Sequence, residues 1–308
     1  MNFNNKYISI VLRTFVGLVF VTSAILKYLS VDTFDLYVFE HNLFSVPVTE
    51  TITRLLITAE VVLGVMLVFN LYARFVYYAV LFFVAGFTAY LFLLPVLFDV
   101  NISHCHCFGE AIVLTRTESI IKNVVLFVCL LFVSPRFYTR RKWETLLTAV
   151  LCAAIFSAVM VVKAPGYLYT VVHREKIQID VPLYETALRN SGKEKRFTDG
   201  KHIICMYSAS CKYCKRSAMK LHLLLKNNHL STNNIKAIFW SDASDADIND
   251  FFSEQNLLLP EYTTFRADTF LLITNGRMPV FLFSEHGTIV HQANYITLNE
   301  KDVVDFFR

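Results

Sequence analysis

The first half of the chain contains five apolar runs, each close to the length that a helix needs to cross a membrane. They lie at about residues 7–26, 51–70, 75–98, 119–134 and 144–163, and the fourth is the shortest. A transmembrane helix needs roughly 20 apolar residues, because each residue adds about 1.5 Å and the hydrocarbon core is about 30 Å thick. Most of the apolar residues that make the chain 55% hydrophobic precede residue 164. We therefore predict a membrane all-α bundle of about five helices, followed by a second, soluble part.

The distribution of lysine and arginine predicts how these helices are oriented. Loops in the cytoplasm are enriched in Lys and Arg, and the densest basic cluster of this half lies at residues 135–142, between the fourth and fifth runs. The loops at residues 27–50 and 99–118 contain more acidic than basic residues. We therefore expect a multi-pass protein of the inner membrane with its N-terminus in the cytoplasm. Five crossings then put everything after Lys163 on the periplasmic, extracytoplasmic side.

The charged residues in or near the apolar runs include Arg13, Arg54 and Glu60. A charge at the centre of a bilayer costs on the order of 2.5–3.5 kcal/mol on insertion scales, so these side chains should face the bundle interior or lie near an interface. They either line a path for a quinone or protons, or form an ion pair that holds helices together. Three glycines in the runs are expected to mark close helix packing: Gly17, Gly64 and Gly86.

A cluster of cysteine and histidine follows the third run, in the order His104, Cys105, His106, Cys107. Two cysteines one residue apart can close a small disulfide, whose strain raises the reduction potential and makes the pair oxidising. The same four side chains could instead bind a soft metal such as copper or zinc. Adjacent ligands do not easily converge on one tetrahedral ion, which favours the redox interpretation. A third interpretation is a structural disulfide that only ties down the loop.

The second half contains a Cys-X-X-Cys motif between an apolar run at residues 202–207 and a helical pattern at residues 211–227. This order predicts a buried strand, a turn and a helix that begins at Cys211. The dipole and unpaired N–H groups of a helix N-terminus stabilise a thiolate, and the charge of Lys212 favours it weakly. We therefore expect Cys211 to attack disulfides and Cys214, one turn deeper, to resolve the mixed disulfide. Three other cysteines are expected to be packing residues: Cys129, Cys152 and Cys205.

Strand and helix patterns alternate through the rest of the second half. We predict strands at residues 235–240, 279–283 and 288–292, and helices at residues 245–255 and 299–307. The predicted organisation has four parts: a four-helix membrane domain at residues 1–134, a basic loop and fifth helix at residues 135–163, a linker with a docking strand and a short helix at residues 164–199, and an α/β domain at residues 200–308.

Residues 200–308 resemble a thioredoxin-like domain, because Cys211 and Cys214 match its redox pair and Met278-Pro279 matches the proline that begins its third strand. The resemblance implies that this proline is cis and that Met278 offers its backbone to substrate, next to Lys212 and Tyr213. The chain departs from the family in having Cys205, and not an acid, in the strand before the motif. This difference leaves open how Cys214 is deprotonated.

Residues 7–134 resemble the DoxX/MauE-like membrane proteins, the latter named for methylamine utilisation. The resemblance implies a helical bundle similar to quinone-linked, disulfide-generating membrane proteins, with a role in oxidation or maturation of exported proteins. His106 stands where most members have Gly. The matching residues are the stretch from Arg13 to Phe20, Lys27, Glu60, Gly64, the stretch from Cys105 to Glu110, Lys122 and Asn123.

These patterns predict a membrane-anchored, extracytoplasmic thiol–disulfide oxidoreductase. Cys211 and Cys214 would exchange electrons with Cys105 and Cys107, with exported thiol proteins as partners, membrane lipid around the bundle and a quinone as a possible acceptor. The net charge is +4, but the sequence has no extended basic stripe with aromatic residues between the basic ones, so no nucleic-acid partner is expected. Two alternatives remain: a non-catalytic assembly factor that docks exported proteins, and a copper carrier that uses the cluster from His104 to Cys107.

Overall fold

A computed structural model describes residues 3–98, 104–133, 144–173 and 178–308. The chain divides into two compact units, one comprising Met1–His41 and Val48–Ala164 and the other comprising Asn42–Pro47 and Pro165–Arg308. The basic cluster at residues 135–142, on which the predicted orientation depends, lies outside the described residues.

The first unit is mainly helical. Its described helices are α1 (Phe3–Leu29), α2 (Val31–Glu40), α3 (Val46–Phe69), α4 (Ala73–Phe98), α5 (Arg116–Leu131) and α6 (Glu144–Val162). Four segments are long and apolar enough to cross a membrane: Tyr7–Leu29, Val46–Phe69, Ala73–Leu93 and Thr145–Val162. The described residues therefore contain four helices of crossing length, where the sequence predicted about five.

Helix α5 accounts for the difference between four and five crossings. Its N-terminus is fixed by a capping box, in which Thr115 accepts from the backbone N–H of Glu118 and the Glu118 carboxylate accepts from the N–H of Thr115. The helix ends at Leu131, so its 16 residues span only about 24 Å. Its first turn is charged, because it contains Arg116 and Glu118. The helix nevertheless packs against α1 and α4.

The two loops predicted between crossings both contain regular structure. Helix α2 occupies the first, and an antiparallel hairpin of β1 (His104–Phe108) and β2 (Ile112–Thr115) occupies the second. The hairpin turns at Gly109, whose φ of +63° is a conformation that glycine adopts at no steric cost. A Cβ there would overlap Ser30 Oγ, so the hairpin can lie directly against the end of α1 only because residue 109 is glycine.

The core of the first unit is formed where α1, α3, α4 and α5 meet. Helices α1 and α3 approach most closely at two glycines: a Cβ on Gly17 would lie 2.8 Å from Gly64 O, and a Cβ on Gly64 would lie 2.8 Å from Gly17 O. The predicted role in helix packing is confirmed for these two. It is wrong for Gly86, where a Cβ would meet no atom of the described residues within 4 Å.

The second unit is a five-stranded mixed sheet covered by helices on both faces. Its strands are β3 (Lys201–Tyr207), β4 (Ile235–Trp240), β5 (Glu261–Phe265), β6 (Val280–Glu285) and β7 (Thr288–Asn294), in the order β5-β4-β3-β6-β7. Strands β4 and β5 run parallel to β3, and β6 runs antiparallel to it. Its helices are α7 (Gly166–His173), α8 (Val181–Asn190), α9 (Glu194–Thr198), α10 (Lys212–Asn227), α11 (Asp245–Ser253), α12 (Ala267–Thr274) and α13 (Glu300–Phe307).

Alternate residues of β3 supply the two halves of the core. Ile204 and Met206 pack with α8, α9 and α12 on one face of the sheet. Tyr207 points to the other face, where its ring contacts Phe239 and Phe251. The docking strand expected at residues 164–199 is not found among the described residues of that segment. Helices α7, α8 and α9 occupy it instead, and α8 and α9 supply the apolar side chains that cover the sheet.

Candidate functional site

The Cys-X-X-Cys motif lies where β3 passes into α10. Strand β3 ends at Tyr207, and a short turn is closed by the N–H of Cys211, which donates to Ser208 O at 3.1 Å. Cys211 is the N-cap of α10, with extended backbone angles. The predicted position of Cys211 at a helix N-terminus is therefore what the structure shows.

The local hydrogen bonds favour a thiolate at Cys211. Its half-buried Sγ accepts from the backbone N–H of Cys214 at 3.3 Å. The pKa of Cys211 is lowered to about 6, first by a hydrogen bond from the Cys214 thiol and then by the backbone N–H groups of Cys214 and Tyr213, against the opposing effect of burial. Lys212 is exposed, so its charge is screened by water.

Cys214 has the opposite character. Its side chain is fully buried on the first turn of α10, and burial raises its pKa well above the ordinary range of a thiol. Its Sγ accepts from the N–H of Ser208 at 3.5 Å. Cys211 and Cys214 are both free thiols in this structure. The motif thus pairs one reactive thiolate with one thiol that stays protonated.

Strand β3, which precedes the motif, has a thiol (Cys205) and a phenol (Tyr207), whereas the thioredoxin-like resemblance would predict an acidic residue in this strand. Cys205 is fully buried, and burial raises its pKa to about 12. Tyr207, on the same face of β3, interacts with Cys205, Cys214 and Ser217, and burial raises its pKa as well. Cys205 is therefore an inert packing residue, as predicted. Tyr207 and Ser217 are neighbours of Cys214 that sequence reasoning missed.

A cleft of about 600 Å³ opens beside Cys211, and Met278 also lines it. The Met278-Pro279 peptide bond is cis, as the resemblance implied, and β6 begins directly after it. Lys212 and Tyr213 lie outside this cleft on the exposed first turn of α10, where the Arg216 guanidinium packs on the Tyr213 ring at 5.3 Å. The structure thus brings Cys211, Cys214 and Met278 together and turns Lys212 and Tyr213 towards solvent.

The second cysteine site lies in the first unit. Cys107 is in β1, is disulfide-bonded and is only 1% exposed, whereas Cys129 and Cys152 are free thiols. Cys105 lies two residues earlier in the same strand, paired with Leu114 of β2. The hairpin is held against α1 and α2, because the Glu110 N–H donates to Ser30 Oγ at 3.1 Å and Thr33 hydrogen-bonds the Glu110 carboxylate.

A buried polar cluster surrounds Cys107. Lys27 of α1 forms an ion pair with Glu60 of α3. Ser23 Oγ lies 2.8 Å from the Cys107 carbonyl oxygen and 3.3 Å from Glu60 Oε2. Lys122 and Asn123 of α5 line the same small cavity as these groups.

The structure changes the predicted ion pairing. Glu60 pairs with Lys27, whereas Arg13 is only half-buried and its Nη2 lies 3.5 Å from the backbone oxygen of Val68. Arg54 is 3% exposed and pairs with Asp35 of α2 at 2.5 Å. An interhelical ion pair is therefore present, but neither arginine takes part in the pair at Glu60. Sequence reasoning did not identify this cluster around Cys107 as a site. Five of the residues that carry the DoxX/MauE-like resemblance could have indicated it, because they line one cavity: Lys27, Glu60, Cys107, Lys122 and Asn123.

Among the side chains that the structure describes, no group of three His, Cys, Asp or Glu is placed to hold a metal ion. The side chains of His104, Cys105 and His106 are not among those described. A disulfide-bonded Cys107 has no thiolate to offer a metal.

The fold and these two sites define a multi-pass membrane protein that also contains an α/β unit with a Cys-X-X-Cys motif at a helix N-terminus. Residues 5–136 match the family model described as methylamine utilisation protein MauE, which confirms the predicted resemblance to MauE in the membrane part. The chain is also similar to Protein TlpB of Flavobacterium psychrophilum, with 23% identity over 352 aligned residues that cover 98% of this chain and 95% of that protein. No solved structure matches the chain.

Proposed function

We propose that this protein is a membrane-anchored thiol–disulfide oxidoreductase. The observation that carries the proposal is the asymmetry of the motif: Cys211 accepts N–H groups at a helix N-terminus and has a pKa of about 6, whereas Cys214 is buried and stays protonated. A thiolate at neutral pH is the attacking group in disulfide exchange. The second thiol stays protonated until the mixed disulfide has formed; it then loses its proton and attacks the Cys211 sulfur, and the substrate sulfur leaves as a thiolate that takes up a proton.

The second unit supports a thioredoxin-like assignment. Strand β3, helix α10 and strand β4 form a parallel crossover, β6 and β7 form an antiparallel hairpin, and the cis Met278-Pro279 bond precedes β6 beside the motif. Substrate would lie in the cleft that Cys211 and Met278 line. The substrates are exported proteins with thiol or disulfide groups.

The first unit would be the redox partner of this motif. We infer that α5 crosses the membrane with α1, α3, α4 and α6, so that the second unit and the loop pair, Cys105 and Cys107, both face the extracytoplasmic side. Cys107 is buried, so an attacking thiolate must approach the other sulfur of its disulfide, which we assign to Cys105. In the oxidising direction the loop pair takes electrons from the Cys211–Cys214 dithiol and passes them to an acceptor such as a quinone.

Trapping of mixed disulfides tests the proposed activity. In membranes that contain full-length Cys214→Ser, Cys211 can attack a substrate disulfide but nothing resolves the product, so we expect covalent adducts on non-reducing gels after alkylation. The matched control is Cys205→Ser, which removes an inert buried thiol and should trap nothing. Adducts that persist when Cys211→Ser is added, or their absence from Cys214→Ser, would refute the proposal.

A further inference from the structure

The cavity beside Cys107 is polar and small. Charged and polar groups from three helices line it together with the apolar rings of α1 and α4, and the cavity has a volume of about 30 Å³. A water needs roughly 10–15 Å³ of cavity volume, so there is room for one or two waters and none for a quinone ring. The polar lining residues are Ser23, Lys27, Glu60, Cys107, Lys122 and Asn123.

An unpartnered amide points to a ligand in this cavity. Asn123 is 3% exposed, and its Nδ2 has no hydrogen-bond partner among the described residues. A buried N–H group without a partner costs about 1–3 kcal/mol, and buried waters satisfy such groups where two to four polar partners are near. Three polar side chains that line this cavity could hydrogen-bond one buried water: Asn123, Glu60 and Lys122.

The charges of the cluster suit a sulfur that becomes negative. Among the described residues, the titratable groups that line the cavity with Cys107 are Lys27 from α1, Glu60 from α3 and Lys122 from α5. Helix α4 contributes Phe83 and Phe87 to the cavity, and its Tyr90 packs against the apolar cluster that contains Cys107. Lys27 is neutralised by its ion pair with Glu60, which leaves the charge of Lys122 in excess. A thiolate at Cys107 would balance that charge in a site where isolated charges are costly.

We propose that Lys122, through a water held by Asn123 and Glu60, delivers the proton that Cys107 needs when its disulfide opens. A thiolate attacks the Cys105 sulfur, a new S–S bond forms there, and the Cys105–Cys107 bond breaks. Cys107 leaves with the electron pair as a thiolate and takes the proton from Lys122. Over the full exchange a dithiol loses two electrons and two protons, and the loop pair gains both. The inference rests on the proposed function, which assigns the redox chemistry to the loop pair.

Reduction of the purified full-length chain by dithiothreitol tests this role. The variant Cys211→Ser, Cys214→Ser leaves the loop disulfide as the reacting group, and alkylation with mass spectrometry follows the peptide that contains Cys107. We expect Lys122→Arg to slow reduction by about tenfold near pH 7, because arginine keeps the charge but does not release a proton. Asn123→Leu, which fills the water site, should slow it similarly and abolish the solvent deuterium isotope effect.

The control is the other buried ion pair. Asp35→Asn removes a charge from the pair with Arg54, outside the cavity, and should leave the rate unchanged. Three results would overturn the inference: an unchanged rate in Lys122→Arg, equal slowing by Asp35→Asn, or no solvent isotope effect in the chain whose cluster is unsubstituted. The isotope effect needs no substitution in the cluster, so it tests the inference even if Lys122→Arg or Asn123→Leu fails to fold. Because the reductant is a small dithiol, this result is independent of the trapping experiment at Cys211, and either can fail alone.

Discussion

Cys211 and Cys214 are three residues apart and chemically unlike. The difference arises from one helical turn: Cys211 is outside the first turn and accepts its N–H groups, whereas Cys214 is inside it and packs against the sheet. Apart from the Cys214 thiol, whose hydrogen bond is the first cause of the lowered Cys211 pKa, the neighbouring side chains contribute little, since Lys212 is exposed and the strand below offers Cys205 and Tyr207 and no carboxylate at these positions. The reactivity of the motif is therefore a property of its position in the fold.

The pH dependence of Cys211 alkylation should report this position. With a pKa of about 6, alkylation by iodoacetamide should rise with a midpoint near pH 6, against 9.0 for an unperturbed thiol. The pKa of Cys211 is lower in the folded chain than in the unfolded chain, so the thiolate stabilises the reduced, folded state against unfolding. This contribution to the free energy of unfolding is complete above pH 9 and is lost as the pH falls through 6. Thermal unfolding of the reduced chain at pH 5 and pH 8 should show the higher midpoint at pH 8.

A matched substitution separates the causes of the lowered pKa. The first cause is the hydrogen bond from the Cys214 thiol, so Cys214→Ala should move the alkylation midpoint of Cys211 upward while the backbone N–H of residue 214 keeps it below 9.0. A midpoint near 9 in the unsubstituted chain would contradict the structure at this site. Cys205→Ser should leave the midpoint where it is.

At the scale of elements, the contact between α1 and α3 depends on two glycines that face each other. A methyl group on Gly64 would lie 2.8 Å from Gly17 O and from Val21 Cγ2, so the helices would have to separate. We expect Gly64→Ala to destabilise the bundle by about 1–3 kcal/mol, the usual cost of overpacking. The measurement is the thermal unfolding midpoint of the purified chain in detergent.

Gly86 of α4 is the control for this prediction. In the part of the chain that the structure describes, a methyl group there meets no atom within 4 Å. Alanine is also favoured over glycine inside a helix by roughly 0.5–1 kcal/mol. Gly86→Ala should therefore leave the midpoint unchanged or raise it. Equal destabilisation by both substitutions would show that helix flexibility, and not the close contact, sets the stability.

The elements differ in how well the sequence predicted them. Strands β3 and β4 and helix α10 were predicted within a residue or so, because a buried strand and an amphipathic helix have clear periods. Strand β5 and helix α12 were missed. Strand β5 has only five residues, Glu-Tyr-Thr-Thr-Phe, which show no regular alternation of polar and apolar residues, and it lies at the sheet edge. Helix α12 is only eight residues long. The cluster at Cys107 was missed as a site because it joins residues from α1, α3, α5 and β1 that are up to 100 positions apart, and no local pattern encodes that convergence.

At the scale of the whole molecule, one chain contains two cysteine pairs whose chemistry is complementary. Cys211 offers a thiolate at neutral pH, and Cys107 is a buried, disulfide-bonded cysteine that lines a cavity with Lys122 and would be the leaving group in the proposed exchange. A chain with both can pass electrons between its units only if both pairs face the same side of the membrane. The proposed topology provides this, since an odd number of crossings separates the N-terminus from the second unit and α4 leads into the hairpin.

We expect that a disulfide can form directly between Cys105 and Cys211. In the full-length variant Cys107→Ser, Cys214→Ser, the motif keeps its attacking sulfur, Cys211, and the loop pair keeps the sulfur that is attacked, Cys105. Oxidised glutathione converts Cys105 to a mixed disulfide, and the Cys211 thiolate should displace glutathione to form a Cys105–Cys211 bond that neither Ser can resolve. Peptide mass mapping should find this linkage, and adding Cys105→Ser should abolish it. If Cys211 carries only glutathione at protein concentrations where the unsubstituted chain is monomeric, the two pairs do not exchange within one chain, and the membrane unit must serve a separate thiol partner.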